Sequence, residues 1–324
     1  MMTEIRCIFC ETKNDNVVIE ENGYKGIKCQ QCGLIYISPR PALEEIVNLY
    51  GHDNANISAT SHILASFPKR LYAKHHLRII NAFSKSGALL EIGPGAGFFL
   101  DEARQIGFNP YGLEFNPIQA NFMRNKLSIS CEESPLSTSV FGGLKFDVIY
   151  HCDVISHFND PISEFKTMNA IMNDDSLLVF ETGNLGEVDQ RYFKYIERFQ
   201  YPDHLFFFSV DNLLDLLEKT GFDVIKIYRY SILPQLKVMK VFHLISNIKN
   251  YTNKHTKKEN ISSDSKFVNI SLESNSQFFN IKSFVKETIK KTYQYFIYLL
   301  RYKIGYIAFK ENRPQTVIVV ARKS

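Results

Sequence analysis

Residues Leu89–Leu100 read LLEIGPGAGFFL and place three glycines within five residues, directly after an apolar run. The run is short and ends in turn residues, whereas the residues from Phe98 to Gly107 have helical spacing and a closing glycine. This pattern predicts a strand, a tight turn and a helix. Such a turn presents backbone N–H groups and a helix N-terminus to a ligand. The stretch therefore predicts an α/β fold with a ligand at this turn.

The spacing of the glycines excludes two common nucleotide sites. A dinucleotide fingerprint counted from Gly93 requires a glycine at position 98, which is Phe98. A phosphate-binding Walker loop would end in Gly-Lys-Ser or Gly-Lys-Thr, and neither follows. What remains is E-x-G-x-G-x-G, formed by Glu91, Gly93, Gly95 and Gly97.

A second acidic residue follows at the position where a ribose is usually bound. NPYGLEFN, residues 109–116, predicts a short strand with Glu114 at its carboxyl end and Phe115 beside it, 17 residues after Gly97. A carboxylate there can bind both hydroxyls of a ribose. Together with the glycine turn, Glu114 predicts an adenosyl ligand without a pyrophosphate.

With these features the sequence resembles the class I S-adenosylmethionine (SAM) methyltransferases. The resemblance continues through predicted strands in residues 145–152, 174–182, 222–228 and 315–323. It implies a Rossmann-like, seven-stranded α/β sheet with helices on both faces and SAM as the cofactor. The cofactor-binding residues that it implies are Glu91, Gly93, Gly95, Gly97, Glu114 and Phe115.

Four of the six cysteines, Cys7, Cys10, Cys29 and Cys32, form a C-x2-C-x18-C-x2-C array. Two such pairs can direct four thiolates at one tetrahedral zinc ion, and a closed shell of this kind is structural. About 35 residues cannot bury enough apolar surface to fold alone, so we predict a zinc ribbon. Unrelated buried thiols or disulfides are the alternative. Cys131 and Cys152 are predicted to be buried strand residues.

The amino-terminal part is similar to a bacterial group of methyltransferases that has a zinc ribbon and often acts on sugars and glycans. The similarity extends to YPDHLFFFS, residues 201–209. In sugar C-methyltransferases this stretch begins Tyr-His-Glu-His; Tyr201 and His204 match, whereas Pro202 and Asp203 differ. The resemblance implies polysaccharide biosynthesis, with a sugar, a glycan precursor or another small hydroxylated metabolite as acceptor. The two differences favour methylation of oxygen.

Methylation of a hydroxyl requires removal of its proton, and a neutral histidine is suited to that role near pH 7. His157 follows the predicted fourth strand and His204 lies between strands five and six, so both fall at the carboxyl edge of the sheet. We predict His204 as the leading candidate base, with Tyr201 orienting the acceptor or packing. For His157, a catalytic role and a structural role in closing its loop remain equally open. His75 and His76, on a helix predicted for Lys69–Phe83, are expected at the surface or in packing.

The positive charge is concentrated late in the chain. Residues 237–310 contain 14 Lys and Arg against 4 Asp and Glu, although the whole chain has a net charge of +4. Residues 253–277 are polar and predict a flexible loop, and the flanking residues 236–250 and 281–305 predict helices. These helices form either a lid over the acceptor site or a peripheral contact with an anionic membrane surface. We favour the lid because a sharp polar face is missing.

We predict four parts: a zinc ribbon in residues 1–40, a SAM-binding domain in 41–236, a basic helical insertion in 237–310 and a last strand in 311–324. No amino-terminal signal and no run of about 18 apolar residues is present. We therefore expect a cytoplasmic protein, with the inner membrane face as the alternative location.

An RNA methyltransferase that uses the zinc ribbon for recognition is the alternative function. Residues 1–40 contain five cations and five acids, and an RNA-binding face should be more basic. Nucleic acid is therefore not the expected partner, although the basic insertion keeps this alternative open. A non-enzymatic interaction module is disfavoured because Glu91, Gly95 and Glu114 are not needed for folding alone.

Overall fold

A computed structural model describes residues 2–42, 45, 53–243 and 281–324. The predicted flexible loop, residues 253–277, lies outside the described residues. The same holds for residues 244–250 of the first predicted insertion helix.

A seven-stranded sheet forms the centre of the protein. Its strands are β6 (Gly87–Ile92), β7 (Phe108–Leu113), β8 (Ser130–Glu132), β9 (Phe146–Cys152), β10 (Met172–Gly183), β12 (Phe222–Ser231) and β13 (Gln315–Lys323). The strand order is β12-β13-β10-β9-β6-β7-β8, and β13 runs antiparallel to both of its neighbours. The glycine turn thus leaves the carboxyl end of a central strand, and the predicted Rossmann-like sheet is confirmed.

Helices cover both faces of this sheet, as predicted. They are α1 (Asp53–Leu64), α2 (Ser66–Ile80), α3 (Phe98–Gln105), α4 (Pro117–Phe122), α5 (Pro161–Ala170), α6 (Val210–Lys219), α7 (residues 233–243), α8 (Ile281–Leu299) and α9 (Gly305–Ile307). One face buries Leu89 and Val179 with residues of α2, and the other buries Leu90 and Phe180 with residues of α5 and α6. Alternate residues of each strand therefore supply two separate apolar cores.

The cysteine-rich segment forms a second, smaller sheet that is continuous with the α/β part of the chain. Its strands are β2 (Val17–Glu21), β3 (Tyr24–Lys28), β4 (Ile35–Ile37) and β11 (Phe206–Phe207), in the order β11-β4-β3-β2. In addition, β1 (Met2–Thr3) pairs with β5 (Arg40–Pro41). Because β11 follows β10 in the chain, the small sheet is completed by the segment that carries His204. The ribbon is therefore attached to the carboxyl edge of the large sheet.

We call residues 233–243 and 281–310 the late helices, and α8 among them packs against α2. Tyr298 of α8 stacks on Tyr72 of α2, with ring centroids 6.1 Å apart. A π-helical turn, Leu300–Ile304, joins α8 to α9. A Cβ atom on Gly305 would lie 2.7 Å from the carbonyl oxygen of Ser231, so glycine allows this segment to approach β12. None of the helices in the described ranges combines the length and apolar character that crossing a membrane requires.

Candidate cofactor and acceptor site

The three glycines of the turn have different roles. Gly93, Gly95 and Gly97 have φ angles of 69°, 57° and 72°, in the left-handed region that disfavours other residues. A Cβ atom would lie 2.9 Å from Val154 at Gly93 and 2.4 Å from Met123 at Gly97, so these two glycines also permit close packing. At Gly95 the nearest atom would be 3.6 Å away. Gly95 is therefore required by its φ angle and not by close packing, because a Cβ atom there would meet Gln119 at an ordinary van der Waals distance.

Glu91 is a buried carboxyl group at the end of β6. Its Oε2 atom has no hydrogen-bond partner among the described residues. Burial raises the pKa of Glu91 well above its usual value, and the nearby positive charge of Lys69 only partly opposes this effect. An unpaired buried oxygen of this kind fits a ligand that supplies a donor, as the ammonium group of SAM does.

Glu114 connects the glycine turn to the end of β7. Its Oε2 accepts a hydrogen bond from the Gly95 N–H and its Oε1 accepts one from the Asn116 N–H, both at 2.8 Å. Burial raises the pKa of Glu114, and these N–H groups oppose the shift. Each carboxylate oxygen keeps a second lone pair, which a ribose hydroxyl could use. Phe115, next to it, is 64% exposed and offers a flat apolar surface.

Helix α1 covers the glycine turn, which the sequence did not indicate. Nδ1 of His62 lies 3.4 Å from Nε2 of Gln119 in α4, and 4.0 Å from the position of a Cβ atom on Gly95. Burial lowers the pKa of His62. His62 and Gln119 therefore line the space beside Gly95, and no sequence motif marks either residue.

Both predicted histidines meet at the carboxyl edge of the sheet. We use the name acceptor corner for the side chains of His157, Asp203 and His204. One nitrogen or oxygen atom of each residue lies within 4.8 Å of the other two. The imidazole rings of His157 and His204 are 4.7 Å apart and nearly perpendicular. His157 ends a 3-10 turn, Ile155–His157, that follows β9, whereas the other two residues precede β11.

Asp203 fixes the tautomer of His157. Nδ1 of His157 lies 3.1 Å from both Oδ1 and the backbone oxygen of Asp203. A carboxylate and a carbonyl only accept hydrogen bonds, so Nδ1 carries a proton and Nε2 is the nitrogen that can take up another. This is the arrangement of a general base that is oriented by a carboxylate.

The two histidines of the corner differ in basicity. Burial lowers the pKa of His157, but the hydrogen bond and the charge of Asp203 outweigh burial and leave this pKa raised. Burial and the neighbouring His157 lower the pKa of His204 to about 4. His204 is therefore neutral and weakly basic at pH 7. The electrostatics favour His157 as the proton acceptor, in contrast to the sequence-based preference for His204.

Tyr201 faces the ribbon and not the acceptor corner. Its side chain is 2% exposed, and its hydroxyl lies 2.1 Å from the position that a Cβ atom on Gly26 would occupy. Its ring packs 5.8 Å from that of Phe207. Of the two roles predicted for Tyr201, this placement supports packing between the ribbon and the α/β part.

The four cysteines of the ribbon come together as free thiols. Their sulfur atoms lie within 4.8 Å of one another, and Sγ of Cys7 is 3.5 Å from Sγ of Cys32. Edges of about 3.8 Å are expected for a tetrahedral zinc-thiolate site. Both pairs form the same turn, in which the Glu11 N–H donates to Cys7 O and the Gly33 N–H donates to Cys29 O. The thiols thus fit a structural zinc ion.

One thiol of the four is more acidic than usual. Burial raises the pKa of Cys29, but the backbone N–H groups of Cys32 and Gln31 and the neighbouring thiols outweigh it and lower the pKa to about 6. A preformed thiolate favours binding of a metal cation.

A buried network anchors the late helices beside this edge. Glu181, at the end of β10, accepts hydrogen bonds from Arg301 at 2.5 Å and from the Tyr302 hydroxyl at 2.7 Å. Nε2 of His76 lies 2.7 Å from the same carboxylate, and the ring of His75 stacks on Tyr302. His75 and His76 were expected at the surface or in packing. Both are buried in the structure, so they are packing residues. These contacts place Arg301 and Tyr302 against α2 and β10, and the lid over the acceptor site stays a prediction.

Residues 64–227, half of the chain, match a family model described as a methyltransferase domain. The chain belongs to this methyltransferase family. The matched residues include the glycine turn, Glu114 and the acceptor corner. SAM is therefore the cofactor of this methyltransferase, and Glu91, Gly95 and Glu114 fit a role in holding it.

Two curated relatives have the name tRNA U34 carboxymethyltransferase. The methyltransferase is 28% identical to the protein from Campylobacter lari over 149 residues, which are 43% of this chain and 50% of that protein. It is 30% identical to the protein from Campylobacter jejuni over 144 residues, 41% and 48% of the two chains. The chain thus spans about half the length of these relatives. A SAM-dependent methyltransferase structure from Archaeoglobus fulgidus aligns with 79% of this chain and 94% of its own, with 18% identity and a TM-score of 0.46.

Proposed function

We propose that this methyltransferase transfers the methyl group of SAM to a hydroxyl oxygen and that His157 accepts the hydroxyl proton. The observation that carries this proposal is the contact between His157 and Asp203 at the carboxyl edge of the sheet. The sulfonium of SAM supplies an electrophilic methyl group, so the protein has to position the acceptor and remove its proton. Asp203 orients His157 for this task, and neutral His204 packs against it.

Two groups of residues support this reaction without touching the acceptor. Glu91, Gly95 and Glu114 are proposed to hold SAM. The four cysteines are proposed to hold one structural zinc ion, which keeps the ribbon folded against the segment that carries Asp203 and His204.

We infer that the hydroxyl belongs to an RNA, with tRNA as the first substrate to test. The names of the two curated relatives support this inference. Charge supports it as well, because the late helices carry seven exposed lysines: Lys237, Lys240, Lys286, Lys290, Lys291, Lys303 and Lys310. A surface of this kind attracts a phosphate backbone. The proposal replaces our expectation that nucleic acid is not a partner, and it assigns RNA binding to the late helices instead of the ribbon.

A sugar hydroxyl is the second candidate acceptor. The favouring observation is that the ribbon carries no excess positive charge and shares a sheet with the segment containing Tyr201 and His204. These features match the resemblance to methyltransferases of sugars and glycans.

Transfer of labelled methyl groups from SAM can decide between the two acceptors. The purified protein is incubated with bulk tRNA or with nucleotide sugars. The tRNA is then digested to nucleosides, whose masses are measured by mass spectrometry. We expect label in a tRNA nucleoside with the mass of one added methyl group. Label in sugars alone would establish the second candidate, and label in neither would refute both acceptors.

Charge variants test the role of the late helices in RNA binding. Replacing Lys286 and Lys290 with glutamine should weaken tRNA binding. It should also lower the salt dependence of this binding, by roughly one released counterion for each phosphate contact that is lost. Lys166 and Lys226 are exposed lysines outside the late helices and serve as the matched control pair. Equal tRNA affinity for both double variants would show that the late helices do not bind RNA.

A further inference from the structure

The hairpin of the ribbon holds the loop on which the acceptor corner is built. Glu21, at the end of β2, accepts hydrogen bonds from the Phe199 N–H at 2.9 Å and from the Tyr201 N–H at 2.8 Å, one with each carboxylate oxygen. Asn22 donates from Nδ2 to the Tyr201 backbone oxygen at 2.8 Å. Two adjacent ribbon residues thus make three hydrogen bonds to the backbone of a segment about 180 positions away in the sequence.

The residue between the two bound N–H groups has an unfavourable backbone conformation. Gln200 has a φ angle of 66°, in the left-handed region that a residue with a side chain rarely adopts. Such a conformation persists only where the surroundings hold it in place. In this loop the carboxylate of Glu21 supplies that restraint, because hydrogen bonds to a charged acceptor are stronger than those between neutral groups.

The same turn places the residues of the corner. The N–H groups of Asp203 and His204 both donate to the backbone oxygen of Gln200, at 2.8 and 3.0 Å. Leu205 then returns to the protein core, since its N–H donates to Ser156 O at 2.7 Å and its carbonyl accepts from the Ile37 N–H at 3.0 Å. Ser156 is next to His157 in sequence. The position of Asp203 relative to His157 therefore depends on a loop that Glu21 fixes at one end.

We propose that Glu21 is a positioning residue for methyl transfer: it acts through residues 199–205 to hold Asp203 against His157 and thereby couples the zinc-held ribbon to turnover. This inference rests on the proposed function, in which His157 is the base. It assigns to the ribbon a role in building the acceptor corner.

Three variants separate this role from a general effect on folding. Glu21→Ala removes both acceptor oxygens, and Glu21→Gln keeps one oxygen that can accept from an N–H. Glu20→Ala is the matched control, because Glu20 is the adjacent residue of the same strand and its side chain is exposed. Each zinc-loaded variant is examined by amide hydrogen exchange of residues 199–205, by SAM titration and by the turnover rate with saturating SAM and acceptor.

We expect Glu21→Ala to speed exchange at Phe199 and Tyr201 by about tenfold, because two hydrogen bonds to a charged group are lost. We also expect turnover to fall by about tenfold while SAM affinity is unchanged, since misplacement of a catalytic group lowers the rate of the chemical step. Glu21→Gln should show intermediate effects in both measurements, and Glu20→Ala should match the wild type. If Glu21→Ala does not fold, Glu21→Gln against Glu20→Ala provides the same comparison.

Two results would overturn the proposal: unchanged exchange would show that Glu21 does not hold the loop, and faster exchange with normal turnover would limit Glu21 to a structural role. A third measurement does not depend on the acceptor. The ring ¹⁵N signals of His157 report its contact with Asp203, and they should change in Glu21→Ala and not in Glu20→Ala. If the wild type methylates no acceptor, the proposed function fails, and unchanged His157 signals would then refute the Glu21 proposal separately.

Discussion

The cofactor side and the acceptor side of this site are built in different ways. Glu91, the glycine turn and Glu114 lie within one strand-turn-helix-strand unit, and their contacts are largely to the backbone of that unit. The acceptor corner combines the loop after β9, the segment before β11 and, through Glu21, the hairpin of the ribbon. Cofactor binding thus depends on local geometry, whereas acceptor activation depends on the assembly of distant segments. The two functions should therefore be separable by mutation.

Loss of zinc should separate the two sides most strongly. We expect one zinc ion per chain and its complete loss in Cys29→Ser, because the remaining thiols cannot close the tetrahedral shell. Turnover should be abolished while SAM still binds, since the ribbon contacts the acceptor side. Elemental analysis and calorimetric titration with SAM measure both effects. Cys131→Ala is the control, because Cys131 lies outside the ribbon and the variant should still bind one zinc ion. Normal turnover of the zinc-free protein would contradict this prediction.

Removal of the base should have the next largest effect. His157→Ala should lower turnover by about a thousandfold, within the usual contribution of general base catalysis, and leave SAM affinity unchanged. His204→Ala should cost less because its pKa, about 4, makes it a weak base. Turnover rates at saturating SAM compare the two variants. A larger loss in His204→Ala would restore the sequence-based preference for that residue.

Loss of the ribose carboxylate tests the cofactor side alone. Glu114→Ala should weaken SAM binding by about a hundredfold, as expected when two hydrogen bonds to a charged group are removed. The turnover rate should recover when SAM is saturating. Glu133→Ala removes an exposed carboxylate that pairs with Arg124 and serves as the control. Equal SAM affinity of Glu114→Ala and the wild type would remove the ribose assignment.

The pH dependence should reveal the contact between His157 and Asp203, and this is the smallest expected effect. A base acts in its deprotonated form, so activity should fall as the pH decreases through the raised pKa of His157. Asp203→Asn removes the charge that raises this pKa and should shift the acidic limb of the profile to lower pH. Measurement of kcat/KM against pH tests this shift. An unchanged limb would mean that another group controls the profile.

The residues that could be predicted are those that belong to a recognisable pattern of nearby residues in the sequence. The glycine turn follows an apolar strand, Glu114 ends the next one, and the cysteine pairs have the spacing of a metal site. Each of these patterns constrains the backbone within about 30 residues. The seven-stranded sheet was implied by the resemblance to class I SAM methyltransferases that these patterns support.

The parts that sequence reasoning missed depend on contacts between distant segments. No sequence pattern distinguishes Glu21 from other acidic residues in hairpins. Its contacts with the N–H groups of Phe199 and Tyr201 form only in the folded chain. For His76 the sequence left the surface and packing open, and the folded chain decides for packing because Glu181 and Tyr302 supply partners for its ring. The basicity of His157 relative to His204 was also hidden, since the contact between Asp203 and His157 forms only in the folded chain.

The most direct test of the separation between the two sides is a single-turnover measurement of methyl transfer to tRNA at saturating SAM. The wild type, His157→Ala and Glu114→Ala are compared in parallel. We predict that Glu114→Ala reaches the rate of the wild type once SAM is saturating, whereas His157→Ala remains slow at every SAM concentration. A wild-type rate for His157→Ala would contradict the account.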